Sequence, residues 1–169
     1  MSQKSILETL SKNLNSYQST SWLKTENARL NGSTPAELMM ENKLTIVIPC
    51  RNEEDYIGHC LQSLRTQKNI GQTQIIIANN STDDTEKVIE LYKNFLNIRI
   101  IQGGTVSVAR NNGARLVRTP YVCFIDGDVR FFNDFILEKT INLLEKKNLH
   151  LITGNIRCYD NDIRAKLGF

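Results

Sequence analysis

The sequence has no long hydrophobic run. Nothing in it approaches the ~20 apolar residues of a membrane span, and Met1–Glu8 holds no hydrophobic signal core. Neither a spanning segment nor a secretory leader is therefore expected, and the chain reads as cytoplasmic, with or without a peripheral association with the membrane. Concentrated basic charge is missing too: 21 Lys and Arg against 18 Asp and Glu leave a net charge of +3 without a basic block, which argues against a nucleic-acid partner. The four cysteines, Cys50, Cys60, Cys123 and Cys158, lack metal-ligand spacing. Two of them sit in or beside apolar strand patterns and read as reduced packing residues. The two histidines, His59 and His150, fall in helix and strand patterns and read as surface or packing positions. Internal repeats and low-complexity tracts are absent.

What is present suits one globular domain: 169 residues, 40% hydrophobic and 23% charged. Residues 1–43 are polar and rich in Asn and Ser. Helical spacing at Ile6, Leu10, Leu14 and Tyr17, and a capping box at Thr34–Glu37, predict a helical N-terminal extension that packs on the domain or binds a partner. Over 44–169 strands and helices alternate. Leu44–Ile48, Gln74–Ala78, Ile98–Ile101, Tyr121–Ile125 and Leu149–Thr153 read as strands. Between them, apolar residues at Ile57, Cys60, Leu61 and Leu64, and at Val88, Leu91, Tyr92 and Phe95, predict inner helix faces. The second of these helices opens at a capping box, Ser81–Asp84. A third helix, from about Val106 to Val117, carries the small residues Ala109 and Gly113 inward, and a fourth has Leu137, Ile141 and Leu144 inward. The alternation predicts an α/β, Rossmann-like fold, with a mostly parallel sheet flanked by helices.

In such a sheet the carboxyl ends of the strands share one edge, where ligands bind. Polar residues collect there after every strand: Pro49–Glu54, Asn79–Asp83, then Gly103 and Gly104 with Arg110 close behind, then Asp126–Asp128. The apolar run Tyr121–Ile125 reads as a strand buried on both faces that runs into two carboxylates. In extended chain, positions i and i+2 point the same way, so Asp126 and Asp128 can converge on a Mg²⁺ or Mn²⁺ ion. The other reading of Asp-Gly is an ordinary turn. Four polar strand ends together suit a nucleoside diphosphate with its metal.

Leu44–Glu54, Asn79–Thr85, Gly104 with Ala109–Gly113, and Asp126–Asp128 resemble, in order and spacing over about residues 43 to 157, family 2 glycosyltransferases of the GT-A fold. The resemblance implies inverting transfer of a sugar from a nucleotide-diphosphate donor, of UDP or GDP type, to an unknown acceptor. It implies that Pro49, Arg51 and Glu53 line the base and ribose and that Asn79 contacts the base. Arg110 would reach the diphosphate or base, Asp126 the ribose and metal shell, and Asp128 the metal, Mn²⁺ or Mg²⁺. Three departures stand out. Arg51 occupies a position often aromatic in the family, and Ala78 and Asn79 stand where aspartates are common. The chain also runs only to Phe169, so the acceptor half and the general base it carries are expected to be missing. Asp160 and Asp162 are the only carboxylates beyond Arg157, and nothing in the sequence places either near a hydroxyl.

Two other classes compete. One is a non-catalytic module that holds a nucleotide sugar or only a protein partner, a reading favoured by the lost acceptor half and opposed by the retained Arg110, Asp126 and Asp128. The other is a nucleotidyltransferase, which would want a glycine-rich basic loop after the first strand, where Pro49–Glu54 has no glycine.

Overall fold

A computed structural model describes residues 18, 21, 25, 43–71 and 73–155. The expected helical extension over 1–43, and Cys158, Asp160 and Asp162, lie outside the described residues, three isolated positions of the extension excepted. The chain divides into two units, 1–135 and 136–169.

The first unit is built on four strands: β1 (Leu44–Cys50), β2 (Gln74–Asn79), β3 (Ile98–Gln102) and β4 (Tyr121–Phe124). They lie in the order β3-β2-β1-β4, and all three pairings are parallel. Helices α1 (Ile57–Arg65), α2 (Thr85–Glu90) and α3 (Val106–Ala114) connect them. This is the Rossmann-like layout expected from the alternation. β1 and β2 occupy the centre because their residues are apolar on both faces: Ile46, Val47, Ile48, Ile75, Ile76 and Ile77 are all fully buried. Each such side chain contributes roughly 1.5–3 kcal/mol relative to exposure.

Pro49 lies inside β1 instead of ending it, and the ladder explains why it is tolerated. The Cys50 carbonyl accepts from Asn80 N–H on the β2 side, and the Val47 carbonyl accepts from Ile125 N–H on the β4 side. Alternation puts Pro49 on the β4 side, past Val47↔Phe124, the last β1–β4 pair, so its missing N–H costs no ladder bond.

α1 buries Ile57, Cys60, Leu61 and Leu64, as its spacing predicts. α3 buries Ala109 and Gly113. A Cβ on Gly113 would overlap the Val47 side chain, so only glycine lets this helix lie so close to β1.

Three expectations are corrected. The helix after β2 buries Thr85, Ile89 and, just past its end, Leu96, while Leu91 and Phe95 are 70% and 53% exposed. Thr85 is hydrogen-bonded inward on both sides, to Asp83 and to Glu53, and this tether turns the helix away from the face that Leu91 and Phe95 suggest. β4 is not buried on both faces: it pairs only with β1, and Val122 and Phe124 are 41% and 44% exposed. Leu149–Thr153 forms no strand, and Leu151 is 76% exposed; apolar residues alone do not make a strand without a ladder partner. The second unit contributes α4 (Ile136–Lys147), with Leu137 and Ile141 buried and Leu144 half-buried. Among the described residues no helix is long and apolar enough to cross a membrane.

Candidate functional site

From β1 the chain moves through β2 to β3 on one side of the sheet, then crosses back to place β4 on the other side of β1. Open α/β sheets form their ligand crevice at such a reversal, beyond the carboxyl ends of the strands. A cleft of about 520 Å³ lies there. It is walled by Pro49 and Cys50 at the end of β1 and Arg51 and Glu53 after it, by Gly104–Val106 and Ala109 at the start of α3, and by Asp126–Asp128 after β4.

The β1 wall is held by the loop after β2. Asn52 sits in the left-handed region at φ 55, which an asparagine tolerates better than most residues. Its N–H donates to Ser81 Oγ at 2.8 Å, and its Oδ1 accepts from Thr82 N–H at 2.9 Å. Next to it, Glu53 N–H donates to Thr85 Oγ1 at 2.8 Å, and the Thr85 hydroxyl donates to Asp83 Oδ1 at 2.5 Å. Asp84 N–H donates to Glu54 Oε2 at 2.8 Å. Helix α2 is therefore not capped by Ser81. Asp83 accepts the Thr85 N–H at 3.1 Å, and Ser81 is spent on Asn52. Burial acts to raise the Asp83 carboxyl, but hydrogen bonds from the Thr85 hydroxyl and from backbone amides outweigh it and hold the group below its ordinary value.

On the β4 side the strand stops at Phe124, and Asp126–Val129 forms a turn in which Val129 N–H donates to the Asp126 carbonyl at 3.1 Å. The carboxylates are thus not aligned by strand alternation. The turn itself carries both to the cleft wall. Gly127 makes room for Glu53: a Cβ on it would stand 3.3 Å from Glu53 Cγ and 3.5 Å from Ile57 Cδ1. The Glu53 side chain accordingly lies over the Asp-Gly-Asp turn. Burial raises its carboxyl pKa, and the charges of Asp128, Asp126 and Asp83 raise it further. Carboxylates from three loops therefore share one field.

Arg110, one turn into α3, answers part of that charge, with Nη2 donating to Asp126 Oδ1 at 2.6 Å. Its Nε is buried and has no hydrogen-bond partner among the described residues. The side chain of Thr105 makes no cap at the α3 N-terminus, which lines the cleft. Such a terminus favours an anion.

The structure brings Pro49, Arg51, Glu53, Asp126 and Asp128 to the cleft and ties Arg110 to Asp126. Asn79 is 8% exposed and lies outside the cleft wall. Its Nδ2 donates to Glu86 Oε2 at 3.2 Å, and its Oδ1 accepts from Ser81 N–H at 3.1 Å. His59 and His150 are exposed. Sequence reasoning assigns no site role to the tethers Asn52 and Thr85, nor to Cys60, read as a packing residue, whose thiol donates to the Asp126 carbonyl at 3.8 Å. The one available signal was Thr85, a polar residue at a position that the helical period turns inward.

Cys50, Cys60 and Cys123 are free thiols. Burial pushes the Cys50 and Cys60 thiols up to about 12, with Glu53 and Asp83 adding to the effect on Cys50 and the neighbouring thiols and aspartates to that on Cys60. They are packing groups and not nucleophiles.

A divalent cation fits the donor set. Asp126 and Asp128 present hard oxygens on one turn, with the Glu53 charge beside them. Among the described residues no group of three His, Cys, Asp or Glu converges to enclose an ion. A Mg²⁺ or Mn²⁺ ion here would take its remaining ligands from water or from phosphate oxygens, as those ions commonly do.

The family model described as Glycosyl transferase family 2 matches residues 45–167. The chain is 37% identical over 109 residues to a teichoic acid poly(glycerol phosphate) polymerase of Staphylococcus epidermidis, covering 60% of this chain and 15% of that protein. It is 36% identical over 90 residues to YibD, an uncharacterized glycosyltransferase of Escherichia coli, covering 52% of this chain and 26% of that one. Among solved structures, S. aureus TarS 1-349 in complex with UDP-GlcNAc superposes with a TM-score of 0.56 at 25% identity, covering 63% of this chain and 32% of that chain. The same protein in complex with UDP gives 0.57 at 27%, covering 63% and 33%. The chain thus spans well under half the length of each of these relatives.

Proposed function

The chain belongs to glycosyl transferase family 2, and we propose that its cleft is the donor site of a transferase that moves a sugar, with inversion, from a nucleoside diphosphate to an acceptor hydroxyl. One observation carries the reading. At the β1/β4 reversal, Asp126, paired with Arg110 behind it, the Asp128 carboxylate and the N-terminus of α3 meet at a single cleft. That combination of cation, carboxylates and helix dipole suits a metal-bound diphosphate.

Residues 44–169 form the donor-binding domain, and 1–43 an extension to it. Pro49, Arg51 and Glu53 wall the base and ribose end. The Arg51 guanidinium offers the base a planar surface, and Asn79, engaged within the β2 loop, shapes that end. Arg110 and the α3 N-terminus take the diphosphate. Asp126 and Asp128 would hold Mn²⁺ or Mg²⁺, which when bound supplies Lewis-acid neutralisation of the departing diphosphate. Glu53, Asp126 and Asp128 are all committed to the donor side. The base that deprotonates the acceptor is therefore a group other than these three. A UDP donor is favoured over GDP because UDP and UDP-GlcNAc are the ligands of the TarS complexes. Unpaired buried thiols suit a reducing, cytoplasmic setting.

Thermal melting with and without ligand tests this. A ligand of the folded chain at about 100 times its Kd adds about 2.7 kcal/mol, so UDP with Mn²⁺ raises the Tm, and GDP does so less. Asp128→Ala removes the metal-dependent part of the rise. If no nucleoside diphosphate moves the Tm, with or without metal, the donor site is not there.

A further inference from the structure

The cationic and anionic sides of the proposed donor site are bonded to each other. Arg110 Nη2 sits 2.6 Å from Asp126 Oδ1, so a nitrogen assigned to the diphosphate neutralises an oxygen assigned to the metal. A guanidinium on that oxygen repels a divalent cation and takes up one of its lone pairs. Two further observations say that the contact is built to be exchanged. Both side chains are about half exposed, at 42% and 50%, so solvent screens the pair and its rupture is easy. The guanidinium is also incompletely satisfied, since its Nε is buried without a partner among the described residues. A diphosphate offers more acceptor oxygens than one carboxylate, in a geometry that the planar fork of arginine matches.

We infer that Arg110 is a built-in competitor for Asp126, and that a diphosphate relieves the competition by drawing the guanidinium onto its own oxygens. This rests on the donor-site reading above and adds a regulatory device to it. The cation binds weakly until the nucleotide arrives, and by linkage each ligand strengthens the other by the same factor. The chain is thereby kept from holding a divalent ion in an otherwise unfilled cleft. Arg110 acts on the metal through Asp126 and is a positioning residue for it.

The test is Mn²⁺ binding to the full chain, read by electron paramagnetic resonance of the free ion, without and with saturating UDP. Arg110→Gln removes the competing charge and is expected to bind Mn²⁺ alone about two- to fivefold more tightly than the wild type, the range that a screened ion pair allows. In that variant UDP should strengthen Mn²⁺ binding by a smaller factor than in the wild type. Arg110→Lys keeps the charge and should leave Mn²⁺ affinity near the wild-type value. If the wild type binds both ligands and Arg110→Gln binds Mn²⁺ no more tightly, the competition is overturned and the donor site stands. If the wild type binds neither Mn²⁺ nor UDP, the donor-site reading falls and the competition falls with it.

Discussion

At the scale of single residues, function here depends on small groups that let large ones approach. Gly127 is one: a Cβ there would stand 3.3 Å from Glu53 Cγ and press the side chain away from the turn that carries Asp126 and Asp128. Gly113 is the more demanding, because a Cβ there would overlap Val47, a fully buried residue at the centre of the sheet. Gly113→Ala should therefore destabilise the chain despite the better helix propensity of alanine. Overpacking costs about 1–3 kcal/mol, against a propensity gain of at most about 1 kcal/mol. Urea unfolding measures the balance, and a midpoint at or above that of the wild type would mean that α3 can shift away from β1 without loss. The closeness of α3 was legible in the sequence, since Ala109 and Gly113 fall on one helical face. The exchange between Arg110 and Asp126 was not. It depends on where two side-chain ends from different elements meet, and spacing along the chain carries no record of that.

At the scale of elements, the segment after β1 and the segment after β2 behave as one piece, cross-bonded through Asn52, Glu53, Ser81 and Thr85. Thr85 is the keystone: fully buried, it accepts from Glu53 N–H and donates to Asp83. Thr85→Val keeps the shape but leaves the Glu53 N–H without its acceptor, while Asp83 keeps the Thr85 N–H; an unsatisfied buried polar group costs about 1–3 kcal/mol. Thr85→Ser keeps the hydroxyl and loses only a methyl, about 0.8 kcal/mol. The serine variant should thus unfold at higher urea than the valine variant, and the reverse order would show that the cross-bonding carries no stability. The same tether explains why α2 defied its apolar spacing. Periodicity reads hydrophobic positions, and here a hydroxyl sets the rotation. β1, β2 and α1 were legible because burial on both faces, or on one clean stripe, is what periodicity records. β4 was misread because an apolar run is the same string in a central strand and at an edge. The polar strand ends of the site were legible for the converse reason: such residues have no place in the core, so they mark where the strands stop. The turn that aims Asp126 and Asp128 was open to only one of the two readings of Asp-Gly, and the structure keeps the turn while bringing both carboxylates to the cleft.

At the scale of the whole molecule, folding assembles charges that the unfolded chain keeps apart: Glu53 from the β1 loop, Asp83 from the β2 loop, Asp126 and Asp128 from the β4 turn. Burial first, then Asp128, Asp126 and Asp83, raise the Glu53 carboxyl above its ordinary value of 4.5, so the folded chain favours the protonated form more than the unfolded chain does. Linkage sets the sign: the stabilising contribution of protonated Glu53 is complete below 4.5 and is lost as pH rises through the higher folded value. Asp83 has the opposite sign in a different window. Its lowered carboxyl contributes stability above its ordinary 3.8, which is lost as pH falls through the lower folded value. Glu53→Gln keeps the shape over Gly127 and removes the titration. The variant should melt above the wild type at pH 7, with the gap closing as pH falls toward 4, where the wild-type carboxyl is protonated and glutamine no longer has an advantage. The difference between the two melting curves isolates Glu53, because Asp83 titrates in both. A gap independent of pH would show that the three loops do not share a field. A variant less stable than the wild type at pH 7 would show instead that Glu53 has an attractive partner that outweighs the aspartates around it.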